Sequence, residues 1–378
     1  MVTQLNASEI VVLTTIQQSG GISRKALAEK TGLSQASITK ITHKLGLDDY
    51  IYEGERVGTG LGRKEVLLYP NPGKYKFLGV DIGGYRLRLA LADYRYELIR
   101  TEEFLIAELD QGDEVLPELV DKIRTFLEAA GADAVDAIGV SVTGIIDSSR
   151  QTILNIPNLN RWDNVPITAA LSERFGCPVY LEESGRTMAF AEKLSGKAKD
   201  KSDFIVVHVA YGIVAGIYTS GEPLRGAGNV GGLLGHITVD ESGGRCMCGN
   251  YGCLENVVTY PMLEEEYRRK AQGSLTLTEA YGLNDKTALD VCIAAGKAIG
   301  IVLSNVVNLF NPEIIYLGGP VFERFPIVFE EVRRTVLLRA NRFATVGMAL
   351  DRTTFGDRQG LMGALTLAGT SFIESMGK

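Results

Sequence analysis

The chain has 378 residues, is 45% hydrophobic and 22% charged, and carries a formal net charge of −7 with five cysteines. Those values fit a globular protein of two or three domains. No run approaches the roughly 18 apolar residues of a membrane-spanning helix, and the opening Met-Val-Thr-Gln-Leu-Asn-Ala-Ser-Glu lacks the basic-then-apolar order of an export signal. A cytoplasmic chain with reduced cysteines and no membrane insertion is therefore expected.

The charge is uneven. Residues 1–76 hold ten Lys or Arg against seven Asp or Glu, so the remaining residues carry ten net negative charges. A small basic head on an acidic body suggests that only the head meets a polyanion.

In chain order, Ile10, Val11, Leu13 and Ile16 give a helical apolar stripe ending at Gly20-Gly21. Ser23 can cap a short helix carrying Ala26, Leu27 and Ala28, and Gly32 supplies the left-handed turn that follows. Ser34 then caps a second helix with Ile38, Ile41 and Leu45 inward. Its outward positions are Gln35, Ala36, Ser37, Thr39, Lys40 and His43. That order predicts a helix-turn-helix whose second helix lies in the major groove of double-stranded DNA. Gln reads adenine, Ser and Thr adapt, and Ser34 and Lys40 hold phosphates. Two short strands around Tyr50–Glu53 and Glu65–Tyr69 bracket a glycine-rich tip with Arg56, Arg63 and Lys64, a wing suited to backbone or minor groove. A helical protein-interaction module with a solvated charged face is the competing account.

Pro70-Asn-Pro-Gly73 is a breaker cluster and the expected boundary. Beyond it, Phe77 to Asp93 reads as strand, Gly83-Gly84 turn and strand. A helix follows over 114–130, then a buried strand over 135–142, and further strands begin at Val179, Ile205, Val214 and Ile314. A long helix is expected over Ala288–Phe310. Alternating strands and helices predict an α/β body of two lobes with a ligand cleft between them.

The segment from Gly235 to Glu255 holds Cys246, Cys248 and Cys253 in a glycine-rich turn, with His236 just upstream. Three thiolates and one imidazole make a closed tetrahedral set, the usual form of a structural zinc site. A disulfide is disfavoured in a chain without an export signal. Cys177 and Cys292 are expected as buried small hydrophobes.

Together, Asp81-Ile-Gly-Gly84, Gly139-Val-Ser-Val-Thr-Gly144 with Asp147, Asn158-Leu-Asn-Arg-Trp162, Gly235-His236, the cysteine loop ending Cys253-Leu-Glu255 and Leu317-Gly-Gly319 resemble the ROK family. This is a group of sugar kinases and sugar-responsive repressors on the actin–hexokinase fold, and the resemblance spans essentially the whole chain. The winged head resembles the repressor branch. The resemblance implies a winged helix-turn-helix over 1–76, a first lobe over 77–196 to which 361–378 return, and a second lobe with the zinc loop over 197–360. It implies an effector site built from Trp162, Glu183, Arg186, His236 and Glu255.

The kinase pattern is broken in three places. Where the resemblance implies an Asp as general base, the chain has Ser184, which cannot accept a proton as a carboxylate does. Tyr85 stands where a phosphate-binding hydroxyl is expected, and Tyr211 occupies the second phosphate loop. Glu183 and Leu233 replace two sugar-binding groups. These departures leave two readings of the effector site: a negatively charged sugar derivative partnered by Arg186, or a decayed site in which Glu183 and Arg186 pair with each other or with solvent. The expected protein is a non-enzymatic, sugar-sensing repressor that reads a pseudo-palindromic operator as a homodimer or dimer of dimers. A kinase with residual ATP-dependent activity, or a regulator governed by a protein partner, are the rival readings.

Overall fold

The computed structural model describes residues 4–58, 64–109, 115–157, 159–271 and 273–377. In the head, α1 (Ala7–Ser19) begins at a reciprocal cap in which Asn6 and Glu9 each accept the other's backbone N–H, and it stops at Gly20 with φ 62°. Its buried stripe is Val12, Leu13 and Ile16. Val11, expected inward, points outward because the helix is phased from the Asn6 cap. Next, α2 (Arg24–Thr31) and α3 (Gln35–Leu47) start at Ser23 and Ser34, whose hydroxyls accept from Ala26 and Ser37 N–H. Gly32 between them has φ 68°.

Lys44 of α3 meets the nearly buried Glu9 of α1 at 2.7 Å. This pair holds the Glu9 carboxyl below the usual carboxylate range, although burial alone would raise it. Strands β1 (Ile22–Ser23), β2 (Ile51–Val57) and β3 (Glu65–Pro70) form an antiparallel sheet in the order β1-β3-β2. This sheet is the wing.

Two five-stranded sheets make up the body among the described residues. The first contains β4 (Lys76–Ile82), β5 (Arg86–Asp93), β6 (Leu98–Leu105), β7 (Ala137–Val142) and, beyond the short hairpin of β8 (Ile145–Asp147) and β9 (Thr152–Asn155), β10 (Val179–Glu183). Its order is β10-β7-β4-β5-β6, with β4, β7 and β10 parallel and β4-β5-β6 antiparallel. Apart from the exposed Lys76, β4 and β7 are buried throughout and apolar except for Asp81 and Ser141, as a sheet covered on both faces requires. The second sheet contains β11 (Phe204–Val209), β12 (Ile213–Thr219), β13 (Glu222–Pro223), β14 (Ile314–Gly318) and β15 (Ala349–Arg352), in the order β13-β12-β11-β14-β15.

The amphipathic α4 (Val115–Ala129) covers the first sheet through Leu119, Ile123 and Phe126. Helix α5 (Ser184–Leu194) runs between the sheets, where Gly216 and Gly185 let its backbone approach β12; a Cβ on Gly216 would fall 2.1 Å from the Gly185 carbonyl oxygen. Helix α6 (Lys286–Phe310) is long and apolar enough to cross a membrane by length and composition. Its apolar side is taken up by the second lobe's core, together with α7 (Pro326–Arg339). The last helix, α8 (Gln359–Ser375), returns to the first sheet and crosses β7 at Gly139, where a Cβ would lie 2.0 Å from the Ala364 carbonyl oxygen.

Head and body share one apolar cluster. Leu5, Val12, Leu13 and Ile16 pack with Tyr75, Tyr94, Phe372, Ile373 and Met376. Leu5 N–H donates to the Met376 carbonyl at 3.1 Å, and the Gln17 amide donates to the Tyr94 carbonyl at 3.2 Å.

Candidate functional site

On α3 the residues Gln35, Ser37, Thr39, Lys40 and His43 are exposed, while Ile38 and Leu45 are fully buried. The three hydroxyls at this face are already engaged. Ser34 caps the helix and lies 2.9 Å from the Ser37 hydroxyl, and Thr39 donates to the Gln35 carbonyl at 2.8 Å. The side chains of Gln35, Lys40 and His43 carry the free hydrogen-bonding capacity of that face. In the wing Arg56 and Lys64 are exposed; Arg63 lies outside the described residues. Arg24 fastens the wing to α3, donating to Thr42 at 2.9 Å and to Glu53 at 2.8 Å.

In the cysteine loop one ligand atom each from His236, Cys246, Cys248 and Cys253 lies within 4.8 Å of all the others. His236 Nδ1 is 3.6 Å from Cys246 Sγ, and Cys248 Sγ is 3.7 Å from Cys253 Sγ. Tetrahedral zinc with S–Zn bonds near 2.3 Å needs sulfurs ~3.8 Å apart, so the donor set fits that ion in number, type and spacing. The turn closes only because position 252 is glycine: a Cβ there would meet the Asp240 carbonyl oxygen at 1.6 Å. With Nδ1 facing the sulfurs, Nε2 is the ring nitrogen left for a ligand. Cys177 and Cys292 are buried, and burial pushes both thiols up, to about 11 and about 12.

Between the lobes lies a cleft of about 320 Å³ lined by Thr143, Ile145, Asn155, Glu183, Arg186, Val230, Leu233, His236, Met247 and Glu255, among others. Four of the five expected effector residues meet there. Trp162 does not: its side chain is fully buried in the apolar core of the first lobe, away from the cleft.

The pairing at this cleft also differs from expectation. Arg186 is engaged by Glu182, at 2.9 Å through Nε and 2.8 Å through its terminal nitrogen. Arg225 closes on the same carboxylate at 2.6 Å. Burial would raise the Glu182 carboxyl, but the two guanidinium groups outweigh it and hold the group below its ordinary value. Glu183 instead caps α5, accepting from Gly185 and Arg186 N–H at 2.8 and 3.1 Å. Burial keeps its carboxyl above the usual range. Glu183 and Arg186 therefore do not pair side chain to side chain, and Arg186 is not a free cation. Glu255 fixes β12 by accepting the Ile213 N–H at 3.0 Å.

A second cleft, of about 310 Å³, lies at the Gly83-Gly84 turn. Tyr85 and Tyr211, from opposite lobes, stack across it with ring centres 4.1 Å apart and planes 12° from parallel. Arg88 grips Asp81 at 2.9 and 2.5 Å and also donates to the Asp357 carbonyl. His208 lines the same cleft, nearly buried, with Nδ1 unpartnered. Burial, assisted by Arg88, holds its imidazole down at about 4. Ser184 is fully buried, its hydroxyl 3.1 Å from that of Thr143.

Sequence reasoning missed Arg88, Glu182, Arg225 and His208. Arg88 left a signal: a cation inside the apolar strand Leu87–Ala92 requires a buried counter-ion.

The ROK family model matches residues 77–371, and the MarR family model matches residues 5–52. The chain is 26% identical over 379 residues to the xylose repressor of Caldicellulosiruptor bescii, covering 95% of this chain and 94% of that protein. It is 28% identical over 382 residues to the DNA-binding transcriptional dual regulator NagC of Escherichia coli strain K12, with 97% and 93% covered. A solved ROK family transcriptional regulator, described as a homologue of the E. coli MLC protein, superposes with a TM-score of 0.80 at 28% identity, covering 98% of this chain and 96% of that one.

Proposed function

We propose, for a chain that belongs to the ROK family, the role of a sugar-responsive transcriptional repressor of carbohydrate genes, working in the cytoplasm without phosphoryl transfer. The observation that carries this reading is the head. Its capped α3 turns Gln35, Lys40 and His43 outward beside a wing that exposes Arg56 and Lys64, and is joined through one apolar core to a sugar-kinase-like body. Two copies, as a dimer or dimer of dimers, would set two α3 helices into successive major grooves of a pseudo-palindromic operator. Ser34, Ser37, Thr39 and Lys40 would work at the groove edge, with Arg56, Arg63 and Lys64 on the backbone.

The effector cleft bears on the N-terminus of α5, which Glu183 caps. Helix α5 packs on α8, and α8 completes the core under α1. An effector that prefers one interlobe angle thereby changes how the heads are presented, a population shift whose size is set by its differential affinity for the two states.

Loss of kinase chemistry is supported at three positions. Arg88 neutralises Asp81, which a magnesium-bound nucleotide would need free. The Tyr85–Tyr211 stack fills the approach to the phosphate loops, and Ser184 offers no base. His236, Cys246, Cys248 and Cys253 would hold a structural zinc whose four protein donors leave no position for a reactive water. Cys253→Ser should then purify with less than one equivalent of zinc by elemental analysis; full occupancy would take Cys253 out of the ligand set.

A mobility-shift titration against DNA upstream of neighbouring carbohydrate genes tests the main reading. Binding should weaken steeply with salt and respond to a sugar. Salt-insensitive or absent binding, or ATP turnover by the wild type, would overturn it. Ser184→Asp is expected to stay inactive, because Arg88 and the tyrosine stack remain.

A further inference from the structure

We propose that the interlobe cleft takes an uncharged aryl glycoside, a sugar bearing an aromatic aglycone, in preference to a free or phosphorylated sugar. This rests on the reading of that cleft as the effector site. Charge comes first. Arg186 is the only cation among the lining residues; it is 4% exposed, held by Glu182, and gives a further hydrogen bond to the Asn229 carbonyl at 3.2 Å. Two carboxylates, Glu183 and Glu255, line the same space. A phosphate would meet two anions and one cation whose charge is already balanced by Glu182, so its desolvation would be poorly compensated.

The polar capacity still unspent suits hydroxyls. It includes the second oxygen of Glu255, Nε2 of His236, the side-chain carbonyl of Asn155, whose amide donates to Asp163 at 2.8 Å, and one terminal nitrogen of Arg186, which lies 2.8 Å from Glu182 but has no hydrogen-bond acceptor.

Part of the lining is apolar and exposed. Val230, Leu233 and Met247 line the cleft with 41%, 50% and 72% of their surfaces open. This wall is built rather than loose. Gly231 N–H donates to the Arg225 carbonyl at 2.8 Å, and Leu234 N–H donates to the Gly232 carbonyl at 2.7 Å. Gly232 has φ 98°, and a Cβ on it would meet the Ala215 carbonyl oxygen at 2.6 Å. Met247 stands between Cys246 and Cys248, so the metal-ligand turn fixes its backbone from both sides. A thioether held at a cleft mouth beside two branched aliphatic side chains favours the edge of an aromatic ring. The polar floor would take the sugar and the apolar rim the aglycone.

Calorimetric titration of the full-length wild type tests this, using glucose, xylose and N-acetylglucosamine, their phenyl glycosides in both anomers, and the sugar phosphates. At least one phenyl glycoside should bind about tenfold or more tighter than its parent sugar, the low end of what burying a ring gives. The phosphates should bind more weakly than either. Leu233→Ser, at a half-exposed position that should leave the fold intact, should bring the glycoside down towards the parent sugar. Equal or tighter binding of a free sugar would overturn the proposal while leaving a sugar site, and would mean that the apolar rim closes on the protein itself. Tighter binding of a phosphate would overturn the charge argument. Silence across every form would remove the sugar reading of the cleft altogether.

Discussion

At the scale of single residues, the body is governed by how buried charges are balanced. Asp81 and Glu182 are each met by guanidinium groups at hydrogen-bonding distance. His208 is the exception, a nearly buried imidazole with an unpartnered nitrogen, held down at about 4 by burial and by Arg88. A depressed imidazole stabilises the fold fully above its unfolded value near 6.5. That contribution is lost as pH falls through about 4, because the unfolded chain takes up the proton first. His208→Gln should therefore flatten the acid loss of stability between about pH 6.5 and pH 4, by up to roughly 3 kcal/mol. Urea unfolding at a series of pH values measures it; parallel curves for variant and wild type would count against a neutral buried His208. Sequence reasoning passed over this group because His208 sits within the continuous buried run Phe204–Val209, where a single imidazole reads as one more core residue. The metal set was legible for the opposite reason: its donors are close in sequence, and chemistry restricts what three cysteines and a histidine can do there.

At the scale of elements, caps and turns carried the most readable information. Ser23, Gly32 and Ser34 stand where a helix-turn-helix needs them, and the structure has them capping and turning as expected. Val11 misled because periodicity fixes a stripe only to within one residue until the cap phases the helix. The side-chain pairing of Glu183 was illegible, since a carboxylate next to a helix start can cap it or bind a ligand, and only the backbone geometry decides. For α3, Lys40→Ala should weaken operator binding across sequences and reduce the magnitude of the salt slope by about 1, read from mobility shifts between low and physiological salt. An unchanged slope would take Lys40 off the phosphates. Where α8 crosses β7, Gly139→Ala would drive a methyl into the Ala364 carbonyl. The obstacle is backbone, so the cost should be about 3 kcal/mol or more, visible as a lower denaturation midpoint. Near-wild-type stability would show that α8 can shift away.

At the scale of the whole molecule, the second lobe leaves a wide apolar surface open. Leu309, at the end of α6, and Leu338, Phe343 and Val346, at and beyond the end of α7, are each more than 70% exposed. Patches of this kind mark interaction surfaces, and the proposed reading of a pseudo-palindromic operator calls for a second copy. Leu338→Asp with Phe343→Asp should shift the protein to a monomer in sedimentation and weaken operator binding, leaving thermal stability of the monomer nearly unchanged. A variant that stays dimeric would move the interface elsewhere. Trp162 shows how whole-molecule placement escaped the sequence: a family landmark next to a binding loop reads as a ligand contact, yet the fold spends it on the first lobe's core.

The shared core beneath α1 also sets a clock. Helix α1 leaves the ribosome well before Phe372, Ile373 and Met376, which finish its packing, are made. At ordinary synthesis rates that interval is on the order of tens of seconds. During it the DNA-reading head has its own helices but not its seat. A chain stopped or cut before the end of α8 would thus lack the platform beneath α1, so only molecules with α8 in place would compete for an operator.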